Sequence, residues 1–159
     1  ELPRALTSSE KAVIQSGNSF GLELMRQVAA RDLRPNVVLS PLSASMALGM
    51  ALNGADGATF DAMRSTLGFG GLGQAEINQS YRSLLELLTG LDPEVRFDIA
   101  NSVWANKDVP FHAAFLQAVQ AAFEAKVESR DFADAATLKA INDWVKEQTE
   151  QALARGEAV

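Results

Sequence analysis

NVVLSPLSASMALGMALNGADGATFDAMRSTLGF, residues 36–69, is the stretch whose reading decides the fold. Ser40 before Pro41 is a helix start: the hydroxyl can accept an orphan backbone N–H, and proline at the first helical position gives up no hydrogen bond. Gly54 is the expected stop. Between them Leu42, Ala44, Met46, Ala47, Leu48, Met50, Ala51 and Leu52 leave no polar stripe, and a helix apolar all round is expected to be buried. At about 1.5 Å per residue it is roughly 20 Å long, too short and too interrupted to span a bilayer. The sequence therefore predicts a central core helix. Val37, Val38 and Leu39 form a β-branched run that suits a short buried strand leading into the cap.

The rest of the chain reads as cover for that helix. Thr7 and Glu10 have capping-box spacing, and Val13, Ile14, Gly17, Phe20, Gly21, Leu24, Met25 and Val28 follow at threes and fours. They predict an amphipathic helix, in two pieces around Gly17, that ends near Arg31 because Pro35 and its predecessor Arg34 resist helical geometry. Thr59 is a candidate cap for a second short helix carrying Phe60, Met63 and Leu67 on one side, stopped by Gly68. Ile77, Tyr81, Leu84, Leu85 and Leu88 predict a regular amphipathic helix. Residues 95–104 alternate like a strand with one mainly apolar face, and 107–110 turn the chain. Phe111, Phe115, Val119 and Phe123 make the aromatic stripe of a helix packed on that sheet. Residues 125–132 read as a polar strand suited to a sheet edge. A last helix from Ala135 carries Leu138, Ile141, Trp144, Val145 and Gln148 on one side and can run to Arg155, with Gly156 as its stop.

Composition narrows the function. The 159 residues fit one domain able to bury roughly 70% of its extended surface. A net charge of −6 and the lack of a basic stripe argue against nucleic acid or an anionic membrane as partner. Without Cys there are no disulfides, no thiol catalysis and no Cys-ligated zinc. No signal-like apolar run opens the chain. The single His, His112, cannot build a metal cluster by itself, and it stands where a helix begins, so it reads as a helix-start or surface residue. The carboxylates read as solvated charges on polar helix faces. Residues 68–73, GFGGLG, fit the G-x-G-x-x-G pattern of a dinucleotide site, but a helix rather than a strand precedes them, so they read as a flexible linker. Asn78-Gln79-Ser80 is an N-glycosylation sequon placed on a predicted helix. Ser40 and Ser43 stand out more, because hydroxyls in the first turn of a buried helix must find partners.

The order and wording of these segments resemble the N-terminal part of the serpin family from Asn18 to Thr149. The resemblance rests on Asn18-Ser19-Phe20 with Leu24, NVVLSPLSASMAL from Asn36 to Leu48, and NGADGAT from Asn53 to Thr59. Later come Leu67-Gly68-Phe69, NSVW at 101–104, Val127 with Asp131-Phe132, and INDWVKEQT at 141–149. It implies an α+β class: the N-terminal part of the serpin fold, helix-rich, with a buried central helix and two or three strands of an incomplete sheet. Residues 1–159 would form one partial domain. The fold-signature positions are Asn36, Pro41, Leu48, Gly54, Thr59, Asn142 and Trp144, and Ser40 and Ser43 match the shutter where the family's central sheet opens. Ala62, where the family commonly has an acidic residue, is a minor departure.

By that resemblance the whole protein is expected to inhibit a serine or cysteine protease as a suicide substrate. A cleaved reactive loop inserts as a sheet strand and traps the acyl-enzyme, so the family itself is not enzymatic and needs no cofactor or metal. The family pattern is expected to continue beyond Thr149 with Gly and a Lys-hydrophobic pair, where this chain has Gln151 and Ala152-Leu153. That predicts a truncation, an altered reading frame or an unusual terminus, without the reactive loop and its receiving strands. The isolated chain is then expected to be marginal and to self-associate, or bind the missing C-terminal half, through an open sheet edge. The alternatives are a non-inhibitory interaction module and, less in keeping with the sequence, a nucleotide enzyme using 68–73. Arg82 is the only basic residue in 76–88, where glycosaminoglycan-dependent members carry several, which argues against heparin. Family habit favours an extracellular, secreted protein, with intracellular and bacterial locations as alternatives.

Overall fold

The computed structural model describes residues 2–31, 36–92, 94–95 and 97–156, with the backbone alone for 150–156. The chain forms two compact units, Glu1–Glu86 and Leu87–Val159.

The first unit is helical. Helix α1, Ser8–Ala29, is capped as expected: Glu10 N–H donates to Thr7 Oγ1 at 3.1 Å and Thr7 N–H to Glu10 Oε2 at 2.7 Å. It is one continuous helix, so Gly17 does not divide it; one glycine costs only about 1 kcal/mol in a 22-residue helix. Arg34 and Pro35, expected to end it, lie outside the described residues. Helix α2, Pro41–Leu52, starts on Ser40. It crosses α1 where Gly21 has no side chain: a Cβ there would stand 2.6 Å from Pro41 Cβ. Helix α3, Gly57–Thr66, is capped by Asp56, whose Oδ1 accepts from Gly57 N–H at 2.8 Å. Thr59 is therefore inside the helix rather than its cap, because Asp56 reaches an N–H first. Helix α4, Gln74–Thr89, buries Ile77, Ser80, Tyr81, Leu84 and Leu85 at the expected spacing; its last turn, from Leu87, falls in the second unit.

Further expectations for this unit are corrected. Residues 37–39 are not a strand, and Val38 is 92% exposed; an extended run becomes a strand only with a partner, and the sheet of the described residues holds just two strands, both beyond residue 100. Helix α2 buries Ser45, Met46, Gly49, Met50 and Leu52, while Ala47, Leu48 and Ala51 are exposed, so it is covered on one side only. Its end is made by Asn53 in right-handed geometry, whose Nδ2 donates to Gly49 O at 2.9 Å, so Gly54 follows the stop instead of forming it. The GFGGLG segment does join two helices, but it is pinned. Phe69 is buried edge-on against Tyr81, with ring centroids 6.1 Å apart, and Ser16 Oγ donates to Gly68 O at 2.6 Å.

The second unit is a strand-helix-strand followed by a helix. Strand β1, Ser102–Asn106, pairs in parallel with β2, Lys126–Arg130, from Ser102 opposite Lys126 to Asn106 opposite Arg130. Helix α5, Ala113–Phe123, is the crossover a parallel pair requires. It ends on Glu124 in left-handed geometry, and Asn101 Nδ2 takes the terminal Phe123 carbonyl at 2.9 Å. The strand expected over 95–104 is displaced: 97–101 are not strand, and Arg96 lies outside the described residues. Alternation marked a residue's fitness for a strand, whereas the five-residue partner β2 set its extent. The aromatic stripe is core only in its second half. Val119 and Phe123 are fully buried, but Phe111 precedes the helix, half in solvent, stacked on Phe115. Helix α6, Ala135–Gly156, starts where Asp134 Oδ1 accepts from Ala136 N–H at 2.9 Å.

Candidate functional site

The two serines singled out by sequence meet at the start of α2. Ser40 Oγ accepts from Ser43 N–H at 3.3 Å and lies 2.8 Å from Ser43 Oγ. Both are exposed, so the expectation that burial forces them to find partners is corrected: they partner each other at the surface. Pro41 takes the first helical position and fills the space left by Gly21.

The other signature positions are dispersed. Asn36, Gly54, Thr59 and Asn142 are exposed. Leu48, 39% exposed, lines an apolar groove of about 180 Å³ with Ala62, Met63, Thr66 and Leu67. Trp144 of α6 stands edge-on to Trp104 of β1, centroids 6.1 Å apart, and Trp104 also carries Lys126 Nζ over its ring at 5.1 Å. His112 is the exposed residue before α5, and its side chain makes no cap hydrogen bond. Among the described residues no group of three or more His, Cys, Asp or Glu side chains could hold a metal, and no helix is long and apolar enough to cross a membrane.

One polar cluster escaped sequence reasoning. Glu10, expected only as the capping-box partner of Thr7, is 2% exposed and is held by the two terminal Arg4 nitrogens, at 2.9 and 2.6 Å. Arg4 also donates to Ser83 Oγ at 2.6 Å, bringing α4 into the cluster. The Arg4 hydrogen bond, helped by Ser83 and the Thr7 N–H, holds the Glu10 carboxyl down at about 2 although burial pushes it up. The capping box announced Glu10; nothing local announced Ser83, which is 79 residues from Arg4. Tyr81 is buried with its hydroxyl donating to Ser45 O at 3.2 Å, and burial pushes its ionisation up to about 12. These are contacts that hold helices together; they do not converge on a reacting atom.

The second unit presents an open surface. Among the described residues the sheet has two strands, so each has one edge with no strand beside it. On the face of α6 expected to pack, Leu138 and Val145 are exposed while Ile141, Trp144 and Gln148 are half-buried, and Phe132 before the helix is half exposed.

A sequence model of the family described as Serpin (serine protease inhibitor) matches residues 15–155. Serpin B8 of Bos taurus is 31% identical over 141 residues, covering 87% of this chain and 37% of its own length. Serpin B6 of Pongo abelii is 32% identical over 143 residues, covering 88% of this chain and 38% of itself. The solved structure of cleaved kallistatin complexed with heparin matches with a TM-score of 0.82 at 25% identity, over 89% of this chain and 42% of kallistatin. The chain thus spans less than half the length of these proteins.

Proposed function

The chain belongs to the serpin family, and from that premise we propose that residues 1–159 form one partial serpin domain, the N-terminal segment of an inhibitor that traps serine or cysteine proteases by loop insertion. The observation that carries this reading is the match to the family over residues 15–155, supported by relatives named as serpins. Ser40 and Ser43 are then shutter residues, and Asn36, Pro41, Leu48, Gly54, Thr59, Asn142 and Trp144 are positions of the shared fold. The protein performs no catalysis of its own and uses no cofactor or metal; the chemistry belongs to the protease.

These residues alone do not inhibit, because they hold neither the bait loop nor the strands that receive it. The edges of β1 and β2 that have no strand beside them among the described residues, with the exposed Leu138 and Val145 of α6, favour a second reading, an interaction module that binds the C-terminal half or another copy. Kallistatin is named in complex with heparin. Here α4 offers one basic residue, Arg82, which pairs with Glu86 at 2.6 Å, and this argues against heparin as a partner of α4. Family habit supports an extracellular location for the whole protein, with an intracellular or bacterial one as the alternative.

The test is a titration against trypsin-like, chymotrypsin-like and elastase-like proteases, read by gel and residual activity. We expect no SDS-stable complex and no lost activity. A stable covalent complex places bait within these residues and overturns this reading.

A further inference from the structure

Asn78-Gln79-Ser80 has the pattern of an N-glycan acceptor, a motif that belongs on surface loops. The fold instead puts it inside α4. Ser80 is 3% exposed, and side chains two apart on a helix do not face each other, so the hydroxyl cannot be presented together with the amide. The amide itself is engaged. Asn78 Nδ2 donates to Asn53 Oδ1 at 2.7 Å, Asn53 Nδ2 donates back to Asn78 Oδ1 at 3.0 Å, and Gln74 Nε2 adds a third bond to that oxygen at 2.9 Å. Asn53 also closes the end of α2 through its bond to Gly49 O. The pair therefore ties the end of α2 to α4, alongside the Tyr81 bond to Ser45 O.

We propose that this is a closed sequon, in which a glycan on Asn78 and the folded α2–α4 pairing exclude each other. N-glycosylation joins Asn78 Nδ2 to the anomeric carbon of a lipid-pyrophosphate-linked oligosaccharide. The bond from that carbon to the pyrophosphate oxygen breaks, lipid pyrophosphate leaves, and one amide proton passes to base. In a reciprocal amide pair the donated hydrogen lies on the carbonyl side of the nitrogen. A sugar on a planar secondary amide takes that same side, so it displaces the bond to Asn53 and drives a bulky polar group between the two helices. In a glycosylating compartment, whichever event came first would forbid the other.

The absence of Cys allows a direct test. Asn78→Cys and Gln79→Cys each create a unique thiol, the second at an exposed position one residue along the same helix. Each protein is treated with an N-acetylglucosamine haloacetamide, first folded and then in denaturant followed by refolding. The unmodified variants serve as references for the lost Asn53 pairing. We expect the folded Asn78→Cys thiol to react at least about tenfold more slowly than the Gln79→Cys thiol, since it must await local opening. After alkylation in denaturant, the Gln79 conjugate should refold and melt within about 2 °C of its unmodified variant, whereas the Asn78 conjugate should melt at least about 5 °C below its own or fail to refold. An Asn78 conjugate that refolds and melts with its unmodified variant overturns the proposal, as do equal reaction rates in the folded proteins.

Discussion

The two compact units treat their apolar side chains differently. Glu1–Glu86 buries Met46, Met50, Leu52, Phe69, Ile77, Tyr81, Leu84 and Leu85, so α2 and α4 share a core of large groups. Among the described residues of Leu87–Val159 the buried apolar set is Val119 and Phe123 with Ala105, Ala122 and Ala125, while Val109, Phe111, Phe132, Leu138 and Val145 are exposed. Since stabilisation follows the apolar area removed from water, at about 25 cal/mol per Å², the first unit closes more of its own core. The second relies on Phe123 as the one fully buried large side chain among its described residues, with Trp104 and Trp144 half-buried against each other; exposure is not confined to it, since Leu22 and Val38 of the first unit are exposed as well.

The sharpest way to break the contrast is at that phenylalanine. Phe123→Ala should cost about 3–5 kcal/mol and abolish protection from exchange across β1 and β2, with the first unit still folded by residue-resolved hydrogen exchange. If both units melt together, their core difference has no independent meaning.

Next is the buried carboxylate, which belongs to the first unit. The Glu10 carboxyl lies at about 2 in the folded chain against an ordinary 4.5. A lowered folded value means that its contribution is present above about 4.5 and is lost as pH falls towards 2. Glu10→Gln should destabilise by about 1–3 kcal/mol at neutral pH and flatten the loss of the first unit's stability below pH 4.5. Glu128 and Asp131 are also held low, by Lys126 and Lys107 respectively, but both pairs are partly exposed, so the second unit should show a shallower acid dependence. Acid titration of each unit by NMR checks this; equal slopes would remove the distinction.

A finer test compares two glycines in α1. Gly21→Ala places a methyl 2.6 Å from Pro41 Cβ, and should cost about 1–3 kcal/mol as α1 and α2 are pushed apart. Gly17→Ala meets nothing within 4 Å and should stabilise by about 0.5–1 kcal/mol. Thermal melts of both variants decide it, and opposite signs are expected.

What the sequence made legible follows the same division. Local signals read well: the Thr7–Glu10 box, Ser40-Pro41, the period of α4 and the turn at 107–110 all stand where expected. Signals that depend on a partner did not. The apolar run at 37–39 and the alternation at 97–101 had strand chemistry with no strand beside them among the described residues, and α2 looked buried all round because apolarity records what a helix can bury, not what covers it. The Arg4–Glu10–Ser83 cluster and the Asn53–Asn78 pair join segments far apart in sequence, so no local pattern could announce them.

The most direct measurement is light scattering on the 159-residue chain across a concentration series, with a thermal melt of each sample. We expect a mass that rises above the 17.0 kDa of one chain, a broad melt, and a return towards the monomer when Leu138 and Val145 are changed to Ser. A mass of 17.0 kDa at every concentration with one sharp transition would contradict the reading of the second unit as a surface awaiting its cover.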